Sequence, residues 1–382
     1  MKKILSVFLT VILCIDVISI GIIILSKNNN KPADPDKTDE NGLFERITVS
    51  AVGENIISQE LLEQAYARTG SIKYDFDYPY ENIASVISQA DISILNQPSV
   101  ISSEHNISGA PLFNSPAELG MQMARIGFDV VNLASPHSLD YGEKGLLNSI
   151  AYWKELGLST VGAYASSQDA EAVTSIKAGG ITVAFIGFTQ ESGGNSLPEG
   201  SSASLVLAQE ESKLLDMVVS AKKEADIVVV CANWGEENQK EPNQAQIQLA
   251  KKLGQWGADV IIGTHTRTLM KTEYITNPDG SQTLVAYSLG SFISDDKKAE
   301  NLLGGMLTFE IVKNTHTGSV SVENPTLDGV ITHYGHKMTN LRVYPLKNYT
   351  TSLASKHGAG EKNSEFSLKY LKKMLEIYTI QK

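Results

Sequence analysis

Five short apolar runs in this chain end the same way, in a polar loop, and that repetition restricts the folds open to it. The clearest is Gly127-Phe128-Asp129-Val130-Val131, a β-branched run with the look of a buried strand. It feeds Asn132-Leu133-Ala134-Ser135-Pro136-His137-Ser138-Leu139-Asp140-Tyr141-Gly142, after which residues 143–156 read as a helix. Three other runs end at Val52-Gly53-Glu54-Asn55, Leu95-Asn96-Gln97 and Cys231-Ala232-Asn233-Trp234-Gly235-Glu236. The fifth ends at Gly263-Thr264-His265-Thr266-Arg267. In α/β proteins, strand ends and helix N-termini converge on one crevice, which is where ligands bind. The five loops are therefore expected to build one site.

Between these runs, strand and helix patterns alternate. Strands are expected over 47–52, 91–95, 129–134, 160–161, 181–188, 226–230 and 259–262. Helices are expected over 59–67, 80–89, 116–126, 144–156, 209–224 and 243–256. Such alternation predicts a parallel or mixed sheet with helices on its faces. After Thr266 the pattern becomes short strands with turns, over 272–275, 283–288, 306–312, 320–323, 330–333 and 341–344. This stretch reads as an all-β tail forming a second sheet on the first. Residues 364–379 carry Leu368, Leu371 and Leu375 at helical spacing, which predicts an amphipathic helix.

The N-terminus carries a separate signal. Residues 4–25 are apolar apart from Ser6, Thr10, Asp16, Ser19 and Gly21. About 20 such residues span a bilayer. Asp16 costs roughly 3 kcal/mol near the centre of a span, and the many Leu, Ile, Val and Phe residues each return roughly 0.3–0.6 kcal/mol. Insertion is expected to win. No small-residue cleavage site follows the run, so 1–26 reads as an uncleaved single-pass anchor at the cell membrane, with the globular body outside the cytoplasm. Residues 27–42 are polar, with two prolines, and 27–45 reads as a flexible linker.

Charge and cysteine usage bound the rest. Among 382 residues the net charge is −11, and no Lys/Arg cluster stands out, so nucleic acid is not an expected partner. Cys14 lies in the apolar N-terminal run and Cys231 in a buried-looking strand, so the two are not expected to pair.

The ordered blocks also carry a resemblance. Val52-Gly53-Glu54, Tyr74-Asp75-Phe76, Ala90-Asp91-Ile92-Ser93-Ile94-Leu95-Asn96-Gln97 and Phe113-Asn114-Ser115-Pro116 come first. They are followed by Gly127-Phe128-Asp129, Pro136-His137-Ser138-Leu139-Asp140-Tyr141-Gly142 and Asn233-Trp234-Gly235-Glu236-Glu237. Gly257-Ala258-Asp259-Val260-Ile261-Ile262-Gly263-Thr264-His265 and Tyr287-Ser288-Leu289-Gly290-Ser291-Phe292 close the series. Together they resemble the CapA family of poly-γ-glutamate capsule-synthesis proteins, within the calcineurin-like metallophosphoesterase superfamily. The resemblance implies an α/β sandwich of two mixed β-sheets flanked by helices over 46–346; the one N-terminal transmembrane helix and the C-terminal tail over 347–382 are read from the residues themselves. It also implies a cell-envelope role in making, exporting or retaining an anionic polymer such as poly-γ-glutamate, with capsule-synthesis membrane proteins as partners.

The departures from the family pattern bear on chemistry. Where the family has Gly-Asp, this chain has Gly53-Glu54, and where it has Asn-x-Glu, this chain has Asn96-Gln97-Pro98. Asn-His is replaced by Pro136-His137, His-Trp-Gly by Asn233-Trp234-Gly235, and His-Pro-His by His265-Thr266-Arg267. A two-metal phosphoesterase needs carboxylates and imidazoles from several loops around cations about 3.5–4 Å apart. Arg267 is a permanent cation where an imidazole would sit and opposes a metal there.

Three readings of the altered centre follow. Glu54, His137 and His265 are the candidate ligands of a single divalent metal (Zn, Mn or Fe) with water as fourth ligand, which would make a metal-dependent hydrolase. Alternatively His137 and His265 are hydrogen-bonded loop residues, with Asp140 orienting His137; this pair is also the catalytic candidate if there is one. In the third reading Arg267 supplies the missing positive charge and grips a carboxylate or phosphate. The expected cleft comprises Glu54, Asn55, Asn96, His137, Asn233, Glu236, His265 and Arg267. A binding or assembly protein with a degenerate site is the favoured class; a metal-dependent hydrolase and an extracytoplasmic sensor or partner-binding domain are the alternatives. Ser135 lacks a nucleophile elbow around it. His333 and His336 read as surface loop residues, Glu236-Glu237 as an acidic loop that is solvated by default and a candidate to line the cleft, and Gly193-Gly194-Asn195 and Gly304-Gly305 as turns.

Overall fold

A computed structural model of the chain describes residues 30–31, 42–361 and 366–380. The expected anchor over 1–26 lies outside the described residues, as does most of the expected linker. Among the described residues no helix is long and apolar enough to cross a membrane.

Four strands open the first sheet: β1 (Phe44–Asn55), β2 (Ile92–Asn96), β3 (Val130–Asn132) and β4 (Ser159–Val161), all parallel neighbours in that order. The chain then leaves for a second sheet. This contains β5 (Thr174–Ala178), β6 (Ile181–Thr189), β7 (Ile227–Asn233), β8 (Val260–Thr264), β9 (Thr272–Thr276) and β10 (Gln282–Ala286). Their order is β5-β6-β7-β8-β10-β9, with Asn30–Lys31 beside β5. The β6-β7-β8-β10 stretch is parallel. The chain returns to the first sheet through β11 (Ser291–Ile293), which runs parallel to the end of β1, and through β12 (Leu303–Asn314), β13 (Val320–His333) and β14 (Arg342–Pro345). The antiparallel order β14-β13-β12-β1 completes that sheet.

Three apolar layers hold this together. Between the sheets, Val49, Ala51, Ile92, Ile94 and Phe309 meet Val183, Phe185, Val229, Cys231, Val260 and Ile262, all buried. Strand alternation places their neighbours on the outer faces. Outside the first sheet lie α1 (Gln59–Arg68), α2 (Ala117–Ile126) and α3 (Gly142–Glu155), which bury Leu61, Met123, Ile150 and Trp153. Outside the second lie α4 (Glu211–Glu224) and α5 (Gln244–Trp256), which bury Leu214, Val218 and Leu253. The helix ends follow their local chemistry. Ser58 caps α1, Asn243 and Gln246 form a capping box on α5, and Gly127 and Gly257 end α2 and α5 in the left-handed region.

The structure corrects several expectations. The predicted second sheet of the tail is not a separate layer: β9 and β10 extend the 174–264 sheet, and β12–β14 extend the sheet that begins with β1. Residues 320–323 and 330–333 are parts of one strand, β13, running on across Pro325. The helix expected over 80–89 is two four-residue turns, Asp77–Tyr80 and Ala84–Ile87. Its β-branched residues weaken the helix, and Tyr80 is tied instead to Asn55 at the end of β1, at 2.5 Å. Gly304 and Gly305 lie inside β12; a Cβ on Gly304 would stand 2.0 Å from the Ser291 carbonyl. His333 is a buried strand residue, 2.7 Å from the Tyr349 hydroxyl through Nδ1. The segment after 346 folds back: Leu346, Tyr349, Ala354, Phe366 and Leu371, the last on α6 (Leu368–Tyr378), belong to the core of the first sheet.

Candidate functional site

The carboxyl ends of β1, β7 and β8 meet where the two sheets adjoin. Glu54 closes β1. Its approach is set by Gly53, where a Cβ would stand 2.1 Å from the Gly290 carbonyl, and by the Glu54 N–H donating to that carbonyl at 2.9 Å. The Glu54 side chain is buried, and the Asn233 amide at the end of β7 donates to its Oε1 at 3.0 Å. The Asn233 Oδ1 in turn accepts from Thr189 at the end of β6, at 3.1 Å. Burial raises the Glu54 carboxyl above the usual carboxylate range, against the pull of His265, Arg267 and His137.

The loop after β8 presents the next two groups. His265 and Arg267 both have positive φ, 90° and 61°, a region that residues with a Cβ enter rarely. The loop is held there by the buried Thr266 hydroxyl, 2.8 Å from Ser288 Oγ and 3.0 Å from the Thr268 carbonyl. The reversal aims both side chains into the cleft. Arg267 there meets Glu237 of the loop after β7, at 2.7 Å. Trp234 braces this corner: its Nε1 donates to the Tyr287 carbonyl at 2.9 Å, and Gly263 leaves room for it, since a Cβ would come within 2.6 Å of Nε1.

The loop after β3 supplies His137. Its Nδ1 lies 3.0 Å from Asp140 Oδ2, which also accepts the Phe113 N–H at 2.7 Å. Phe113 packs edge-on against the imidazole, ring centres 4.6 Å apart. Asp140 thus fixes the ring through Nδ1 and leaves Nε2 as the available nitrogen. Ser135 is engaged by the loop itself, donating to the Pro98 carbonyl and accepting the His137 N–H, each at 3.1 Å.

These groups line one cleft of about 240 Å³: Glu54, Asn55, His137, His265 and Arg267 among the expected residues, and Pro98 and Pro136 among the departures. Asn96, Asn233 and Glu236 do not line it. Asn96 is engaged in the floor beneath, donating to the Val52 carbonyl at 3.1 Å and accepting from Asn132 at 3.0 Å. Asn233 acts through Glu54, and Glu236 faces solvent. Sequence reasoning missed Phe113 and Glu191, which line the cleft; Glu237, whose default reading was a solvated loop, lines it as well. Phe113 belongs to a recognisable block, but nothing local tells that its ring will lie on His137; Glu191 carries no signal at all.

The donor set does not fit a two-metal centre. Pro98 and Pro136 bring no ligand atom, and Arg267 places a fixed positive charge beside Glu54. Among the described residues no three His, Cys, Asp or Glu side chains come together as a metal-holding group, Glu54, His137 and His265 included.

The class that the geometry defines is a two-sheet α/β sandwich with its cleft on loops at the strand ends. The chain belongs to the family described as bacterial capsule synthesis protein PGA_cap, whose family model matches residues 48–296. It is 34% identical over 190 residues to the PGA biosynthesis protein CapA of Bacillus subtilis, covering 50% of this chain and 48% of that protein. It is 29% identical over 262 residues to the capsule biosynthesis protein CapA of Bacillus anthracis, covering 66% of this chain and 60% of that protein. The matches thus span about half to three fifths of the lengths of these relatives. Among solved structures, a putative 5'-nucleotidase from Staphylococcus aureus in complex with alpha-ketoglutarate is similar at a TM-score of 0.43 and 16% identity, over 87% of this chain and 58% of that one. A hypothetical protein from Thermus thermophilus is similar at 0.44 and 14%, over 74% and 98%. At these scores the likeness says nothing about the chemistry of this chain.

Proposed function

We propose that the protein is a membrane-anchored, extracytoplasmic component of capsule assembly that binds an anionic capsule polymer, poly-γ-glutamate, through this cleft, with capsule-synthesis membrane proteins as its partners. Membership of a capsule-synthesis family supports the setting. The observation that carries the binding role is Arg267, a permanent cation turned into the cleft by a strained loop. Its contact with Glu237 is half-exposed on both sides, so exchange for a ligand carboxylate costs little. A guanidinium can hold such a carboxylate by two parallel hydrogen bonds. Calorimetric titration of γ-linked glutamyl oligomers into the full-length chain tests this. Arg267→Ala is expected to weaken binding by about tenfold or more; unchanged binding overturns the reading.

A second reading, the metal-dependent hydrolase, is favoured by one observation. A carboxylate on Nδ1 with Nε2 turned to the cleft, as in the His137–Asp140 pair, is the arrangement that supports metal-ligating histidines. Mass spectrometry of the full-length chain purified without chelators decides between them. The binding reading expects transition metal far below one equivalent. A near-stoichiometric metal, lost in His137→Ala and His265→Ala, would favour the hydrolase and direct assays to phosphoester and glutamyl-polymer substrates.

A further inference from the structure

Resting on the reading that the cleft takes the capsule polymer, we propose that it takes the polymer's amino-terminal end, a residue with ammonium and carboxylate on one carbon, and not a stretch of chain interior. The sign of the lining argues this first. Arg267 is the fixed cation, but Glu54, Glu191 and Glu237 share the walls with it. The interior of a γ-linked glutamyl chain presents one carboxylate per residue and no cation. Several such residues would set like charges against three acidic side chains, an unfavourable arrangement at close range. A chain end brings one cation with its carboxylate, and the lining matches that mixture.

Glu54 is the second argument. It is 4% exposed, yet the Asn233 amide on Oε1 is its only side-chain hydrogen bond among the described residues. A buried carboxylate that faces a cleft with one oxygen still able to accept is a receptor for a charged donor. Arg267 and the two imidazoles act on it at longer range without a direct ion pair among the described contacts. An ammonium group placed between Glu54 and the cleft mouth supplies the missing partner, while the α-carboxylate of the same residue takes Arg267 from Glu237.

Size is the third. The cleft measures about 240 Å³, below the lower end of the range, about 300 Å³, typical of sites for drug-sized ligands. It therefore suits a short end of chain and not a long run of residues. Its apolar parts, Pro98, Pro136, Phe113 and Ile57, suit the two methylenes of a glutamyl side chain that leads out to the rest of the polymer.

The test uses the full-length chain and three probes in calorimetric titration: a γ-linked glutamyl oligomer with a free amino terminus, the same oligomer N-acetylated, and the free-amine oligomer amidated at its far end. Acetylation is expected to weaken binding by about tenfold or more, and far-end amidation to leave it unchanged. Glu54→Gln keeps an acceptor for Asn233; it should weaken the free-amine oligomer by a similar factor and leave the acetylated one unaffected. If acetylated and free oligomers bind equally and Arg267→Ala weakens both, the chain-end assignment is overturned while the polymer-binding reading stands. If no probe binds, or Arg267→Ala changes nothing, the polymer reading falls and this assignment with it. The acetylation comparison needs no variant, so its outcome does not depend on a substituted chain folding.

Discussion

Mild acid should loosen the joint between the C-terminal segment and the first sheet, through two buried imidazoles. His333, at the end of β13, and His357 have ring centres 5.0 Å apart inside a cluster of Tyr334, Tyr344, Tyr349 and Phe366. His357 donates from Nε2 to the Thr332 carbonyl at 2.9 Å and accepts the Ala359 N–H on Nδ1 at 3.0 Å, so a second proton has no place on it. Burial pushes both rings from 6.5 down to about 4, and for His333 the neighbouring His357 adds to this. The folded state therefore refuses a proton that the unfolded chain accepts. Stability is intact above pH 6.5, falls as the pH drops from 6.5 towards 4, and levels below that. At about 1.4 kcal/mol per pH unit, each ring removes about 2 kcal/mol between pH 7 and pH 5. Two rings together approach about 4 kcal/mol, a large part of the 5–15 kcal/mol of a typical domain. Asp295 works the other way: burial, then Glu60, raises it to about 6, so it adds stability as the pH falls. The histidine contribution is therefore read as a difference. Urea unfolding at pH 7 and pH 5 is compared between the native chain and His357→Gln, which can keep a donor and an acceptor. The pH-dependent loss should be smaller in the variant by about 2 kcal/mol. Equal losses in the two chains, or a His357 NMR signal titrating near 6.5 in the folded protein, would refute the reasoning.

Two further predictions concern the framework of the cleft. In Gly263→Ala the new Cβ would stand 2.0 Å from the Tyr287 carbonyl, so β8 and the Trp234 corner cannot both keep their places; a loss of about 3 kcal/mol or more is expected, read as a lower melting temperature. Asp140→Asn removes the charged acceptor shared by His137 Nδ1 and the Phe113 N–H. It should cost about 1–3 kcal/mol in urea unfolding, with the fold retained by circular dichroism; a cost below about 0.5 kcal/mol would mean that the loop is held by its other contacts.

The frame of the fold was readable because it rests on local patterns. Apolar runs such as 181–188 and 259–262 can be satisfied only by burial, and helix ends such as Asn243 to Gln246 and Gly257 announce themselves. What escaped was fixed at long range. The 80–89 segment has a tolerable helical pattern, but Tyr80 belongs to Asn55, which is 25 residues away in sequence. His333 looks like a loop residue until β13 is seen to run unbroken from Val320 and carry it under Tyr349. Arg267 is aimed into the cleft by two positive φ angles, and no residue type in Thr264-His265-Thr266-Arg267 signals them.

The cleft also explains where a scaffold of this kind can change. One set of polar residues has its hydrogen bonds committed to buried backbone. Asn114 donates to the Ser102 and His105 carbonyls and accepts the Ser102 N–H, Asn96 holds the Val52 carbonyl, and Ser138 holds that of Leu133. Replacing any of these leaves a buried carbonyl or N–H without a partner, at about 1–3 kcal/mol for each group. A second set, Glu54, His137, His265 and Arg267, turns into the cleft. Substitution there leaves the backbone satisfied and alters mainly what the cleft binds. Pro98, Pro136 and Arg267 also line the cleft. Asn233 reaches it through Glu54, and its amide gives that buried carboxylate one hydrogen-bond partner. Chemistry can therefore be exchanged at the rim while the floor, and with it the fold, stays fixed.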